Sequence, residues 1–133
     1  CCRRRRASVR WISWLAGKSD EEVMRLVSGQ GFGLPANFGP NAPTTFKTLL
    51  ALIEAARKNG YATTQDMFLP AMSSLATTVT TGNGEVGAVL IIAGPMSRLT
   101  HKRMKELLPT LLSTAAELSE ASSVSPIMRR ASI

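Results

Sequence analysis

Along the 133 residues, three stretches repeat apolar side chains at helical spacing, and three shorter ones carry the marks of strands. In GKSDEEVMRLVSGQG, Val23, Leu26 and Val27 fall on one helical face. Ser19 and Glu22 form a capping-box pair, and Asp20, Glu21 and Glu22 suit the positive N-terminus. A second helix is predicted from near Pro43-Thr44 through FKTLLALIEAARKNG, with Phe46, Leu49, Leu50, Ile53 and Ala56 as its apolar face. Arg57-Lys58 suit its negative end, and Asn59-Gly60 supplies a left-handed stop. YATT then reads as a short extended segment. MSSLATTVTT is rich in β-branched residues with alternating character, and EVGAVLIIAG returns after a GNG hairpin signal. Thr100 can cap a last helix whose stripe is Met104, Leu107, Leu108, Leu111, Leu112, Ala115 and Leu118. Pro109 lies inside that stripe and is expected to kink the helix or mark a restart, since it removes a backbone donor. From Ser119 onward the periodicity is lost, which predicts a fraying tail. Helices followed by a strand hairpin and a closing helix read as α+β, an antiparallel sheet with helices packed on it.

Composition adds little to this picture, but the distribution of charge changes one part of it. The net charge of +7 would suggest nucleic acid. The basic residues, however, are concentrated at the ends: CCRRRRASVR holds five Arg and no acid, and Arg129-Arg130 add two more. Basic and acidic residues balance between 11 and 128. Seven aromatic residues are few for a base-stacking surface. The two cysteines, Cys1 and Cys2, are adjacent and close no useful loop, so a disulfide framework, a thiol nucleophile and a Cys metal site are all excluded. No apolar run reaches the roughly 18 residues that a membrane helix needs. Nor is a signal peptide evident, so the expected address is cytoplasmic.

Candidate chemistry is sparse. GQGFG lacks a preceding strand, so loop punctuation suits it better than a dinucleotide site. His101 is the sole histidine, and no Ser, Cys or carboxylate constellation accompanies it. The acidic cluster at 20–22 is explained by helix capping. His101, Lys102, Arg103 and Lys105 oppose the dipole of the last helix, which favours a solvated face tolerated at small cost.

Five segments in order resemble the effector-binding domain of the IclR family of bacterial transcriptional regulators: WLAGKSDEEVMRLV, LIEAARKNGYA, PAMSSLATTV, NGEVGAVLIIAGPMSRLT and LLPTLLSTAAELS. Together they cover about residues 14–122, with Gly60, Tyr61, Gly94, Pro95 and Arg98 carrying the structural signature. The resemblance implies a GAF-like antiparallel sheet flanked by helices, with a long C-terminal helix and no cofactor. It also implies a pocket for a small-molecule effector and assembly into a homodimer or homotetramer. On this reading residues 1–13 are a basic segment foreign to the family, and 123–133 are a flexible tail. The winged helix-turn-helix and the first strands of the family domain are absent from the sequence. The expectation is therefore a truncated regulator that reaches DNA only through a missing domain and has no membrane partner.

Several positions depart from the family pattern. The glycine before the second strand is Ala71, and a family proline is Thr78. The acidic pair that usually follows Gly-Tyr-Ala is Gln65-Asp66. Carried over position by position, the resemblance implies an effector site of Thr64, Asp66, Met72, Ser74, Ile91 and Ala93. Ile91 and Ala93 stand where members binding small oxo-acids have serines. An apolar wall does not replace a carboxylate's lost hydration, so the expected effector is an apolar or aromatic acid. Arg98 is expected to bond local carbonyls or a carboxylate. A non-enzymatic sensor leads, a small nucleic-acid-binding protein using the Arg-rich terminus is the alternative, and no enzyme motif is present.

Overall fold

All six predicted elements are present, together with one that the pattern did not announce. The computed structural model describes residues 8–29 and 38–125, so the Arg run, Arg129-Arg130 and most of the glycine-rich loop lie outside the described residues. The order is α1 (Val9–Ala16), α2 (Asp20–Ser28), α3 (Phe46–Asn59), β1 (Ala62–Gln65), β2 (Met72–Thr80), β3 (Val86–Pro95) and α4 (His101–Val124). The three strands form one antiparallel sheet in the order β1-β2-β3.

The unannounced element is α1. Eight residues are too few to hold a helix in water, and Ser8 at its N-cap makes no side-chain bond. Burial forms it: Val9, Ile12 and Leu15 all sink into the core. The boundary expected at residue 13 therefore falls inside a packed helix. Arg57 then fastens the junction between α1 and α2. From the last turn of α3 it donates through Nε to the Ala16 carbonyl, through Nη2 to the Lys18 carbonyl and through Nη1 to Asp20 at 2.6 Å. Two of these acceptors lie at the C-terminal end of α1, where carbonyls lack helical partners. The capping box of Ser19 and Glu22 is present in both directions at 3.3 Å. Gly60 ends α3 with φ 77°, the left-handed stop that the sequence predicts.

Strand pairing sorts the sheet residues onto two faces. Ala62, Ala76 and Ile91 form one cross-strand row, and Thr64, Ser74 and Ala93 form the next row on the same face. Ala62 and Ala76 join the core made with α1, α2 and α3, where Ile12, Leu15, Val23, Leu49 and Ile53 are fully buried. Burying each of these larger side chains contributes about 1.5–3 kcal/mol. The opposite face carries Leu75 against Leu99, Met104 and Leu111 of the C-terminal segment.

Helix α4 departs from expectation in three ways. It runs through Pro109 as one helix, so the helix does not restart there. Its apolar stripe is wider than its contact: Met104, Leu111 and Ala115 are buried, whereas Leu112 and Leu118 are 36% and 41% exposed. It also continues past Ser119, where fraying was expected, because its serines have partners in the sheet. Strand β1 pairs with β2 only as far as Ala76, which leaves the Thr80 backbone beyond it open to other partners. Ser119 Oγ accepts from the Thr80 N–H at 3.0 Å, and Ser122 Oγ donates to the Thr80 carbonyl at 2.9 Å.

Candidate functional site

The turn between β1 and β2 sets the site's lower rim. Asp66 and Ala71 both adopt left-handed backbone, with φ 53° and 59°. The Asp66 carboxylate accepts from the Ala71 N–H at 2.5 Å, and the Asp66 N–H donates to the Met72 carbonyl at 3.0 Å. Residues 38–42 close over the outside of this turn. Gly39 N–H donates to the Met67 carbonyl, and Asn41 bonds the Gln65 and Asp66 carbonyls through its side chain and its backbone. Gly39 is required there, since a Cβ would collide with the Asp66 backbone. Asp66 is thus a turn-closing residue whose carboxylate is occupied locally, a use that its place in the family pattern does not reveal.

The other candidates share one sheet face. Thr64 and Ser74 stand opposite each other, with Oγ atoms 2.5 Å apart, and Thr64 is only 3% exposed. Ala93 is the next neighbour of Ser74 on β3, and Ile91 follows one row along. Met72 pairs with Pro95 at the end nearest the turn. Ile91 is 38% exposed and Ala93 is also exposed, so the β3 side of the face is open while the β1 side is covered. The result is a part-buried hydroxyl pair bordered by an apolar, accessible wall. Among the described residues, no cluster of three His, Cys, Asp or Glu could hold a metal ion. No helix among them is long and apolar enough to cross a membrane.

The signature residues are structural. The Leu99 and Arg98 N–H groups both donate to the Pro95 carbonyl, closing the turn that leads into α4. Thr100 caps α4, its Oγ1 accepting from the Arg103 N–H at 3.2 Å. The expected side-chain role of Arg98 is not seen: the residue is exposed and acts through its backbone. Tyr61 packs against the α4-side core, and Gly94 lies under Leu99. Arg103 pairs with Glu106 at 3.0 Å on the exposed face of α4. Two residues that organise the domain, Arg57 and Ser122, escaped sequence reasoning, since a helix-end Arg and a late serine carry no signal of a partner about 40 residues away.

Fold and face together define a helix-backed α+β domain that presents hydroxyls and apolar groups, the equipment of a binding surface. Comparison with known proteins identifies it further. Residues 13–120 match the model of the bacterial transcriptional regulator IclR C-terminal family. The chain belongs to that family, whose members are transcriptional regulators and not enzymes. A curated relative, the HTH-type transcriptional repressor AllR of Salmonella paratyphi A, is 29% identical over 108 residues, 81% of this chain and 39% of the relative. The chain thus spans about two-fifths of the length of that repressor. Two solved structures share the fold. One is a double mutant of the Acinetobacter PobR inducer-binding domain in complex with 3-hydroxybenzoic acid: TM-score 0.79, 21% identity, 86% of this chain and 64% of that one. The other is the IclR of Thermotoga maritima: TM-score 0.78, 22% identity, 87% of this chain and 46% of that one.

Proposed function

We propose that the chain binds a small organic acid of apolar or aromatic character and relays that binding to DNA. The acid lies on the sheet face between Thr64, Met72, Ser74, Ile91 and Ala93. The DNA contacts are made by a winged helix-turn-helix outside these 133 residues, and the domains pair as a homodimer or homotetramer in the cytoplasm. The observation that carries the reading is the part-buried Thr64–Ser74 hydroxyl pair beside the exposed wall of Ile91 and Ala93. Taken alone, such a pair is an ordinary cross-strand contact. Its position at the margin of an accessible apolar face is what suits it to orient a ligand's polar group. Asp66 drops out of the ligand set because its carboxylate closes the turn. PobR, which shares the fold, was solved with a hydroxybenzoic acid, in keeping with an aromatic ligand.

Coupling follows from differential affinity. A ligand that binds one arrangement of paired domains better than another shifts their population toward it. Calorimetric titration tests the ligand class. The expected result is saturable heat with 3-hydroxybenzoate and none with glyoxylate. Tight glyoxylate binding with no response to aromatic acids would overturn the reading.

A further inference from the structure

A groove of about 290 Å³ lies at the other edge of the sheet, lined by Leu52, Ala55 and Asn59 of α3, by Thr63, and by His101 and Lys105 of α4, among others. None of the six effector candidates lines it. We propose that this groove is a second binding site, for a small organic anion with an apolar body.

Three features carry the proposal. First, among the described residues the ionisable groups lining the groove are the Tyr61 phenol and the basic His101 and Lys105, with no carboxylate. Both basic residues stand in the first turns of α4, where the helix dipole adds positive potential. Basic residues at that end of a helix oppose the dipole when solvated, but they cooperate with it when both face an anion. Second, Leu52, Ala55, Met104 and Leu108 supply apolar walls on both sides. The volume is at the lower end of the roughly 300–1,000 Å³ typical of small-molecule pockets. Third, the floor is an unpaired strand edge. The Gln65 carbonyl accepts from Asn41, on the side of β1 away from β2. By the two-residue period of a strand, Thr63 presents its own N–H and carbonyl in the same direction. Among the described residues, no other segment's backbone bonds to them. An acid entering between α3 and α4 meets a backbone donor below, the Lys105 ammonium and the His101 imidazole at the rim, and apolar groups around its body.

The test is calorimetry on the full chain with 3-phenylpropionate, and with 3-phenylpropanol as its neutral counterpart. Lys105 and Ala55 are both exposed helix positions, so Lys105→Glu and Ala55→Trp leave the core untouched. The expected result is that Lys105→Glu weakens binding of the acid about tenfold, and that the alcohol binds the unmodified chain about tenfold more weakly than the acid does. In a Ser74→Val background, which disables the proposed effector face, Ala55→Trp should fill the groove and abolish the remaining binding. Ser74→Val separates this site from the proposed effector face, so either reading can fail alone. If no binding were seen in Ser74→Val, or if it survived Ala55→Trp and Lys105→Glu in that background, the groove would not be a site.

Discussion

The two long sides of the sheet differ in how they end. On the β1 side, α1 and α3 cover one face, and residues 38–42 bond along the outer edge of the β1–β2 turn. On the β3 side, ten residues of VGAVLIIAGP form an edge strand in which no residue is fully buried. A long, uncharged, apolar edge is a template for another strand, and natural proteins rarely leave one uncovered. The β1 side is packed by helices and bonded at its turn, apart from the groove edge at Thr63, whereas the β3 side is left open.

Core truncation separates the sides most strongly. Ile53→Ala and Leu15→Ala each remove a fully buried side chain from the closed half and should cost about 2–5 kcal/mol in urea unfolding. Ile91→Ala on the open half should cost well under about 1 kcal/mol, because the side chain is already 38% exposed. Comparable losses at the two positions would erase the distinction. Next in size is Arg57→Ala. Its ion pair with Asp20 is solvent-screened and contributes little, but two charge-assisted bonds to carbonyls go with it, so a loss of about 1–2 kcal/mol is expected. Ser122→Ala should cost about 1 kcal/mol and raise amide exchange at the end of α4, since the Thr80 carbonyl loses a partner. The smallest expected change is a gain. Ala71 holds a left-handed φ of 59°, so Ala71→Gly should stabilise the turn by about 0.5–1 kcal/mol in thermal unfolding after the glycine's extra chain entropy is discounted.

Much of this was legible in the sequence where the signals are local. The Ser19/Glu22 cap, the Asn59-Gly60 stop, the β2–β3 hairpin and the Thr100 cap each depend on neighbours within a few residues. Helix α1 was not legible, because eight residues beside an Arg run show too few turns of periodicity and exist by virtue of the core they enter. The reach of α4 past Ser119 was hidden for a similar reason: its serines look polar and aperiodic until the end of β2, beyond its pairing with β1, supplies their partners. For the candidate site, the family resemblance pointed to Thr64, Ser74, Ile91 and Ala93, and the strand register puts them on one face. Whether Asp66 points at a ligand or into its own turn did not, because that depends on a left-handed backbone that Asp tolerates and a pattern does not display.

Amide-shift mapping of the full chain titrated with 3-hydroxybenzoate tests the central claim most directly. The account predicts that the largest saturable shifts fall at Thr64, Ser74, Ile91 and Ala93, and that they disappear in Ser74→Val. Shifts absent from this face, or unchanged by Ser74→Val, would contradict it.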